Sequence, residues 1–207
     1  MRGLRKTTGL TLGGAGLALL LALSPAFAQQ KVRVRGTVEA VDGPILSVKS
    51  RDGSVLKLKL ADNVAVRAVI KFALADIKPG SYIGVTGMPQ ADGPQKAVEV
   101  HVFPEAMRGT AEGHTPWDLQ PNSTMTNANV EAAVTGVNGP ELTLKYKDGE
   151  KKFFVPPETP VVTYTPGDKS ELKPGAKIFV AAATKLEDGT LEVAAINVGR
   201  DGVAPPM

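Results

Sequence analysis

The sequence contains no cysteine. This excludes a disulfide framework, thiolate metal sites, a cysteine nucleophile and an N-terminal cysteine that carries a lipid. Histidine is almost as scarce, with two residues, and aromatic residues make up only 5% of the chain. With so few imidazoles available as general bases, the composition does not favour an enzyme.

Motifs of the common chemistries are missing as well. No serine lies in a Gly-x-Ser-x-Gly sequence, and there is no glycine-rich phosphate loop, dinucleotide fingerprint or Asp-x-Asp-x-Asp-Gly calcium loop. We therefore expect a protein that is not an enzyme and that binds no nucleotide cofactor. A hydrolase whose triad assembles across the fold is a third alternative, after a binding module and a metal-handling protein.

Long apolar runs are absent except near the N-terminus, where residues 9–23 follow three basic residues and precede Ala26-Phe-Ala28. This pattern is typical of a cleavable bacterial signal peptide, with cleavage before Gln29. The run is shorter than the roughly 20 apolar residues of a membrane-spanning helix. We expect residues 1–28 to be a signal peptide, and the mature chain to be periplasmic and not membrane-spanning.

Charge of one sign is not in large excess. The formal net charge is +3, from 24 basic and 21 acidic residues, and the predicted leader carries three of the basic ones. The mature chain therefore has 21 of each. Such a balance gives no reason to expect a nucleic-acid partner.

Glycine and proline are plentiful, with 22 and 16 residues, which indicates many turns and favours an all-β fold. Four of the turn signals recur at an offset of 95 or 96 residues. The first members are residues 43–44, 52–53, 77–80 and 92–93, and the second members are residues 139–140, 148–149, 172–175 and 188–189. Constant order and spacing over about 70 residues predict an internal duplication.

Each copy has the pattern of three short strands, one helical turn and two more strands. This is the order of an OB-like barrel, although a β-sandwich or an SH3-like barrel is also compatible with it. The predicted organisation has five parts: signal peptide 1–28, first β-barrel 29–103, ordered connecting strap 104–128, second β-barrel 129–199 and C-terminal tail 200–207. We expect two tandem barrels.

Several motifs resemble a bacterial exported family of unknown function that is built from tandem small OB-like β-barrel repeats. The motifs are Gly36-Thr-Val, Asp52-Gly53, Lys78-Pro-Gly80, Asp92-Gly93, residues 101–110 and residues 112–121. The resemblance covers about residues 32–198. It implies the barrel fold and export, and it transfers no catalytic residue. Some members are labelled metal transport permeases, but a permease needs membrane spans, which this mature sequence lacks.

Basic side chains predict a binding surface on the first copy. Residues 30–103 carry 11 basic and 7 acidic residues, whereas residues 129–207 carry 9 and 11. The candidate partner-binding residues are Lys31, Arg33, Arg35, Lys49, Lys57, Lys59 and Trp117. Such a patch suits an envelope protein, a lipid headgroup, an anionic surface polymer or the acidic second copy, while solvated strand lysines are the simpler interpretation. Trp117 is the only tryptophan and lies in the strap, where we expect it to be packed.

The two histidines suggest an alternative function. On the closing strand of the first copy, His101 is predicted to share the outward face with Glu99, and His114 follows in the strap. Histidines with carboxylates suit zinc or copper(II), and histidine with methionine suits copper(I). The favoured function is therefore an exported binding or accessory module, and the alternative is a periplasmic metal-handling protein using His101 and His114. Two surface histidines without a ligand remain the simpler interpretation.

Overall fold

The structure, a computed structural model, describes residues 31–136 and 139–206. The predicted signal peptide at 1–28 lies outside these residues. Within them the chain is all-β, as expected. The strands are β1 (Lys31–Asp42), β2 (Ile45–Ser50), β3 (Val55–Lys71), β4 (Tyr82–Met88), β5 (Gln95–Val102), β6 (Gly113–Pro116), β7 (Thr124–Gly136), β8 (Gly139–Tyr146), β9 (Gly149–Phe154), β10 (Val161–Pro166), β11 (Lys177–Lys185) and β12 (Leu191–Gly199).

Short helical turns are the only helices in this described part. They are 3₁₀ turns at Leu74–Asp76, Glu105–Met107 and Lys169–Glu171. The first lies within the helical turn predicted at residues 72–77. None of these helices is long and apolar enough to cross a membrane.

The first barrel is a ring of five strands in the order β1–β2–β3–β12–β11, closed by the pairing of β11 with β1. All neighbours are antiparallel except β3 and β12, which run parallel. Its interior follows the alternation in the sequence, because Leu58 and Leu60 are buried while Lys57 and Lys59 are exposed. A closed ring leaves no free strand edge.

The second barrel repeats this order with different strands. Its ring is β7–β8–β9–β5–β4, closed by the antiparallel pairing of β4 with β7. The parallel pair is β5 with β9, which corresponds to β12 with β3 in the first barrel. Phe153, Leu142, Leu144 and Ile83 fill its interior. The predicted OB-like barrel order is thus found twice.

The tandem arrangement of the barrels differs from the prediction. The first barrel takes β1, β2 and β3 from the first half of the chain but β11 and β12 from the second half, and the second barrel does the reverse. The predicted bounds 29–103 and 129–199 therefore do not enclose one barrel each. The cause lies in β3, whose 17 residues extend over about 55 Å at about 3.3 Å per residue. This strand carries the chain out of the first barrel before β4 begins.

The end of β3 joins the two barrels into one continuous sheet. It pairs antiparallel with β10, with Tyr164 opposite Val69, and β10 also pairs in parallel with β5. In the second half the corresponding long strand is divided into β9 and β10 by Pro156-Pro157. Proline breaks the strand because it cannot donate a ladder hydrogen bond.

The predicted strap is ordered but shorter than expected. Residues 104–123 contain one 3₁₀ turn and β6, whereas Thr124 already begins β7, so the last five residues of the predicted strap belong to the second barrel. Met107 and Trp117 pack partly buried against residues that lie between the barrels. The expectation that Trp117 is packed is confirmed.

The glycines at matched turns adopt the backbone conformation that turns require. Gly80 and Gly175 have φ of +88° and +89°, and Gly53 has φ of +87° in the loop between β2 and β3. The prediction of a positive φ at Gly53 is confirmed. A Cβ added there would meet no other atom within 4 Å, so only the backbone conformation requires glycine.

A substitution at Gly53 measures this requirement. We expect Gly53→Val to lower the free energy of unfolding by about 1–2 kcal/mol, because a β-branched residue disfavours the left-handed region. Thermal and urea unfolding would report the loss. Gly53→Asn is the matched control and should lose less, since asparagine visits this region more readily. Equal stability of the valine variant and the parent would contradict the assignment.

Candidate functional site

A layer of aromatic side chains lies between the barrels. Tyr82 of β4, Phe103 after β5, Tyr164 of β10 and Phe179 of β11 are buried in this layer. The ring centroid of Phe103 is 5.3 Å from that of Tyr82 and 5.8 Å from that of Tyr164. These separations are typical of stabilising aromatic pairs. Both barrels therefore contribute to one apolar surface.

The inter-barrel cavity opens against this aromatic layer and has a volume of about 430 Å³. Pockets that hold small molecules typically measure about 300–1,000 Å³. Both barrels and the strap line it. Its polar and aromatic lining residues include Arg67, His101, Trp117, Asn127, Tyr164 and Asn197.

His101 forms part of the wall that belongs to the second barrel. Its Nδ1 lies 3.2 Å from both carboxyl oxygens of Glu99, which is fully buried and accepts a 2.6 Å hydrogen bond from the hydroxyl of Thr86. Glu99 and His101 share one face of β5, as predicted. The simpler interpretation of His101 as a surface histidine is wrong, because the aromatic layer covers this face and leaves the residue only 3% exposed.

Asn127 of β7 and His101 of β5 lie on either side of Gly84 of β4. Because Gly84 has no side chain, the side chains of both neighbours can occupy the space above it. Gly84 pairs with His101 on one side and with Asn127 on the other. A Cβ on Gly84 would collide with His101 Nε2 and Asn127 Oδ1, so both side chains use the space above this glycine. Asn127 Nδ2 donates to the carbonyl of Thr110 in the strap at 3.2 Å. The Oδ1 atom of the same amide therefore points away from Thr110.

Arg67 and Asn197 belong to the wall formed by the first barrel. Asn197 on β12 pairs with Arg67 on β3 and, on its other side, with Phe179 on β11. The Arg67 guanidinium makes no hydrogen bond or ion pair within residues 31–136 and 139–206. Burial raises the pKa of the Tyr164 hydroxyl, the carboxyl of Glu99 adds to this, and the charge of Arg67 opposes it.

Three buried polar atoms at the inter-barrel cavity have no hydrogen-bond partner among residues 31–136 and 139–206. They are Trp117 Nε1, Asn127 Oδ1 and Asn197 Oδ1, and the two asparagines are more than nine-tenths buried. A buried polar atom that stays unpaired costs about 1–3 kcal/mol. Such atoms call for a specific explanation, and a molecule that fills the cavity supplies one.

The strap is fastened to the first barrel through its tryptophan. The guanidinium of Arg33 lies 4.0 Å and that of Arg35 5.8 Å from the centre of the Trp117 ring. Asp118 accepts a 2.9 Å hydrogen bond from Arg35 and lies 3.7 Å from Arg33. Burial alone would raise the pKa of Asp118, but the hydrogen bond and charge of Arg35, with the charge of Arg33, lower it. We call these four residues the strap clasp.

The predicted basic patch is divided by this arrangement. Arg33 and Arg35 contact Trp117 and Asp118 of the strap. Lys31 donates a 2.7 Å hydrogen bond to the hydroxyl of Thr184 on β11. Only the last three members, Lys49, Lys57 and Lys59, are exposed together on the β2–β3 hairpin.

His114 lies on β6, partly buried. Its Nδ1 is 2.7 Å from the hydroxyl of Thr126, and its ring stacks on Tyr146 with centroids 6.4 Å apart. Burial lowers the pKa of His114, and the charge of Lys151 lowers it further. The imidazole is therefore neutral near pH 7.

The structure does not bring the two candidate metal ligands together. His101 on β5 and Asn127 on β7 both pair with Gly84 of β4. His114 on β6 instead pairs with Thr126, the residue next to Asn127 on β7. Successive residues of a strand point to opposite faces, so the two imidazoles lie on opposite sides of the sheet. The described part of the chain holds no group of three or more His, Cys, Asp or Glu residues placed to bind a metal ion.

A larger groove of about 950 Å³ lies against the C-terminal segment. Five prolines are among its lining residues, and Arg51 and Lys71 are its charged residues. None of the three unpartnered buried polar atoms lies there. The inter-barrel cavity is therefore the better candidate, although it is smaller.

Sequence reasoning missed Arg67, Asn127 and Asn197. Asparagine has no motif that marks it as a ligand-binding residue, and Arg67 is one of many strand cations. The alignment of the copies offered one signal, because His101 and Asn197 occupy equivalent positions on the closing strands and differ in type. That difference marks a position that the barrel itself does not constrain, and both residues line the cavity.

Comparisons with protein-family models, with curated proteins and with solved structures gave no match. The family resemblance of the turn motifs therefore stays an expectation, and the function has to be inferred from the geometry of the site.

Proposed function

We propose that this protein is an exported, non-enzymatic binding module whose ligand occupies the inter-barrel cavity. The observation that carries the proposal is the convergence of three buried, unpartnered polar atoms on one aromatic-lined cavity. Ligand sites combine apolar walls with a few polar groups that orient the ligand. The cavity has both.

The polar atoms define what such a ligand must offer. Trp117 Nε1 is a donor and needs an acceptor on the ligand, whereas Asn127 Oδ1 and Asn197 Oδ1 need N–H or O–H donors. Because these atoms come from both barrels and the strap, a bound ligand would contact all three parts. Binding would then stabilise the whole fold by mass action.

The test uses Asn197→Leu, which removes one unpartnered group at nearly constant volume. Without ligand, the variant should unfold at the same temperature as the parent or higher, because no hydrogen bond is lost. A low-molecular-mass extract of the producing cells should raise the melting temperature and change the Trp117 fluorescence of the parent, but not of the variant. Fluorescence is specific here because Trp117 is the only tryptophan.

Ser47→Ala on the exposed side of β2 is the control and should keep the response of the parent. A destabilised Asn197→Leu protein would show that the asparagine has a structural role. No response of the parent to the extract, with no small molecule retained in native mass spectrometry, would contradict the proposal.

A second candidate function uses the exposed hairpin lysines. Lys49, Lys57 and Lys59 form no ion pair within the described ranges, and they lie on neighbouring strands. An envelope protein or an anionic surface polymer is the partner that this surface would attract. Binding that weakens with salt and is lost in the triple glutamine variant would support this function independently of the cavity.

Export itself predicts a defined N-terminus. We expect the protein recovered from the periplasm to begin at Gln29, because Ala28 is the last small residue before the chain becomes polar. Intact mass spectrometry would show the loss of residues 1–28. A full-length mass in the soluble fraction would contradict cleavage.

A further inference from the structure

We propose that the ligand of the inter-barrel cavity is a small organic carboxylate that also carries N–H or O–H donors, with its carboxylate bound by Arg67 and Asn197. This inference rests on the proposed function and adds the chemical class of the ligand. It follows from the different chemistry of the two barrel walls.

The wall of the first barrel is suited to an anion. Arg67 is half-buried, lines the cavity and has no acidic partner within the described part of the chain. Its neighbour Asn197 makes no side-chain hydrogen bond there either, although the residue is only 8% exposed. The Arg67 guanidinium and Nδ2 of Asn197, on adjacent strands, can donate together to the two oxygens of a carboxylate, while Asn197 Oδ1 accepts from an N–H or O–H donor on the same ligand.

The charge on this wall is not neutralised across the cavity. Glu99 acts on Tyr164 of the aromatic layer, but its carboxyl group is fully buried and engaged by Thr86 and His101. It does not pair with Arg67. The positive charge of Arg67 is thus left for a molecule in the cavity, and partial burial strengthens that attraction.

The wall of the second barrel is suited to donors. Asn127 Oδ1 is an acceptor without a partner, and His101 Nε2 lies beside it above Gly84. Nδ1 of His101 lies 3.2 Å from the Glu99 carboxyl, so in the neutral imidazole with its proton on Nδ1 the Nε2 atom is a second acceptor. A hydroxyl or amide N–H on the ligand would satisfy both atoms.

The size and the remaining walls limit the ligand further. A volume of about 430 Å³ accommodates a molecule of the size of a sugar acid or an acylated amino acid. Phe103, Phe179 and Tyr164 offer apolar and ring surfaces to its body, and Trp117 Nε1 offers a donor to one of its oxygens. Sugar acids and acyl amino acids share the required chemistry, so the experiment includes both.

The experiment compares each acid with its neutral amide. The probes are D-glucuronate against D-glucuronamide, and N-acetyl-L-alanine against N-acetyl-L-alaninamide, titrated into the mature protein with Trp117 fluorescence and melting temperature as readouts. At least one acid should bind about 10–100-fold more tightly than its amide, which is the range expected for a charge-assisted hydrogen bond. The pair that shows the difference identifies the source of the carboxylate.

Variants test whether Arg67 supplies the positive charge that binds the acid. Arg67→Gln should reduce the affinity for the acid to that for the amide, and Asn197→Leu should weaken binding of the acid as well. Lys177→Gln removes one positive charge from an exposed position on β11 of the same barrel and should leave the affinity unchanged. Circular dichroism of each variant establishes that it folds.

Two outcomes would overturn the inference while leaving the proposed function intact. One is that the amides bind as tightly as the acids, or that Arg67→Gln binds like the parent. The other is that neither acid binds at millimolar concentration although the cell extract still shifts the melting temperature of the parent. If neither the probes nor the extract produce a response, the proposed function fails together with the inference.

Discussion

A fragment of residues 29–103 should not form a folded monomer. It contains β1, β2 and β3 but lacks β11 and β12, which close the first barrel in the intact chain. The open edges of β1 and β3 would then be exposed to pairing with other chains. We expect this fragment to unfold or to form a dimer in which each copy supplies β4 and β5 to the other. Light scattering after size-exclusion chromatography distinguishes these states.

The complementary fragment provides the control for this experiment. Residues 104–206 carry the strands missing from the first fragment, so an equimolar mixture should form a one-to-one complex with the circular dichroism of the intact chain. The intact mature protein serves as the reference. A fragment of residues 29–103 that is monomeric and melts cooperatively would show that each half closes its own barrel, contrary to the observed strand pairing.

Phe153→Ala should destabilise the protein more than Gly53→Val does. Phe153 is fully buried on β9 in the core of the second barrel, and its ring packs over Gly87 of β4. Removing a buried phenyl ring costs about 3–5 kcal/mol through lost burial and the cavity left behind. This is a large share of the roughly 5–15 kcal/mol that holds a typical protein folded. Urea unfolding monitored by circular dichroism would measure it.

The neighbouring phenylalanine is the matched control for this prediction. Phe154 follows on the same strand, points to the other face and is only partly buried, so Phe154→Ala should lose clearly less. Because β9 pairs with β5 from the other half of the chain, both barrels should unfold in one transition in the Phe153 variant. An early, separate transition of the second barrel alone would contradict this coupling.

The strands and turns of this protein were predictable because they depend on residues close together in the chain. The alternation of Leu58 and Leu60 with lysines predicted one buried and one exposed face, and that pattern is found. The positive φ of Gly53 followed from an Asp-Gly turn signal. Barrel order could be proposed from the sequence of strands and turns, and the same strand order is found in both rings.

Which hairpin closes which barrel was decided by tertiary structure. The two halves of the chain have similar strand patterns, so β4–β5 and β11–β12 are both suited to either ring, and local sequence does not distinguish the choices. The distance covered by the long β3 decides between them, because it carries β4 and β5 to the far barrel. Chain reach is a global property that a local pattern does not report.

The candidate site was likewise beyond local sequence reasoning. Patterning on β5 correctly placed Glu99 and His101 on one face, but their burial depends on a second barrel packing against that face. Asn127 and Asn197 meet the same cavity from strands far apart in the sequence. Sequence alone therefore determined the strands, their faces and their turns. The site was created by the packing of the two barrels, because only the contact between them removes these polar groups from water and brings them to one cavity.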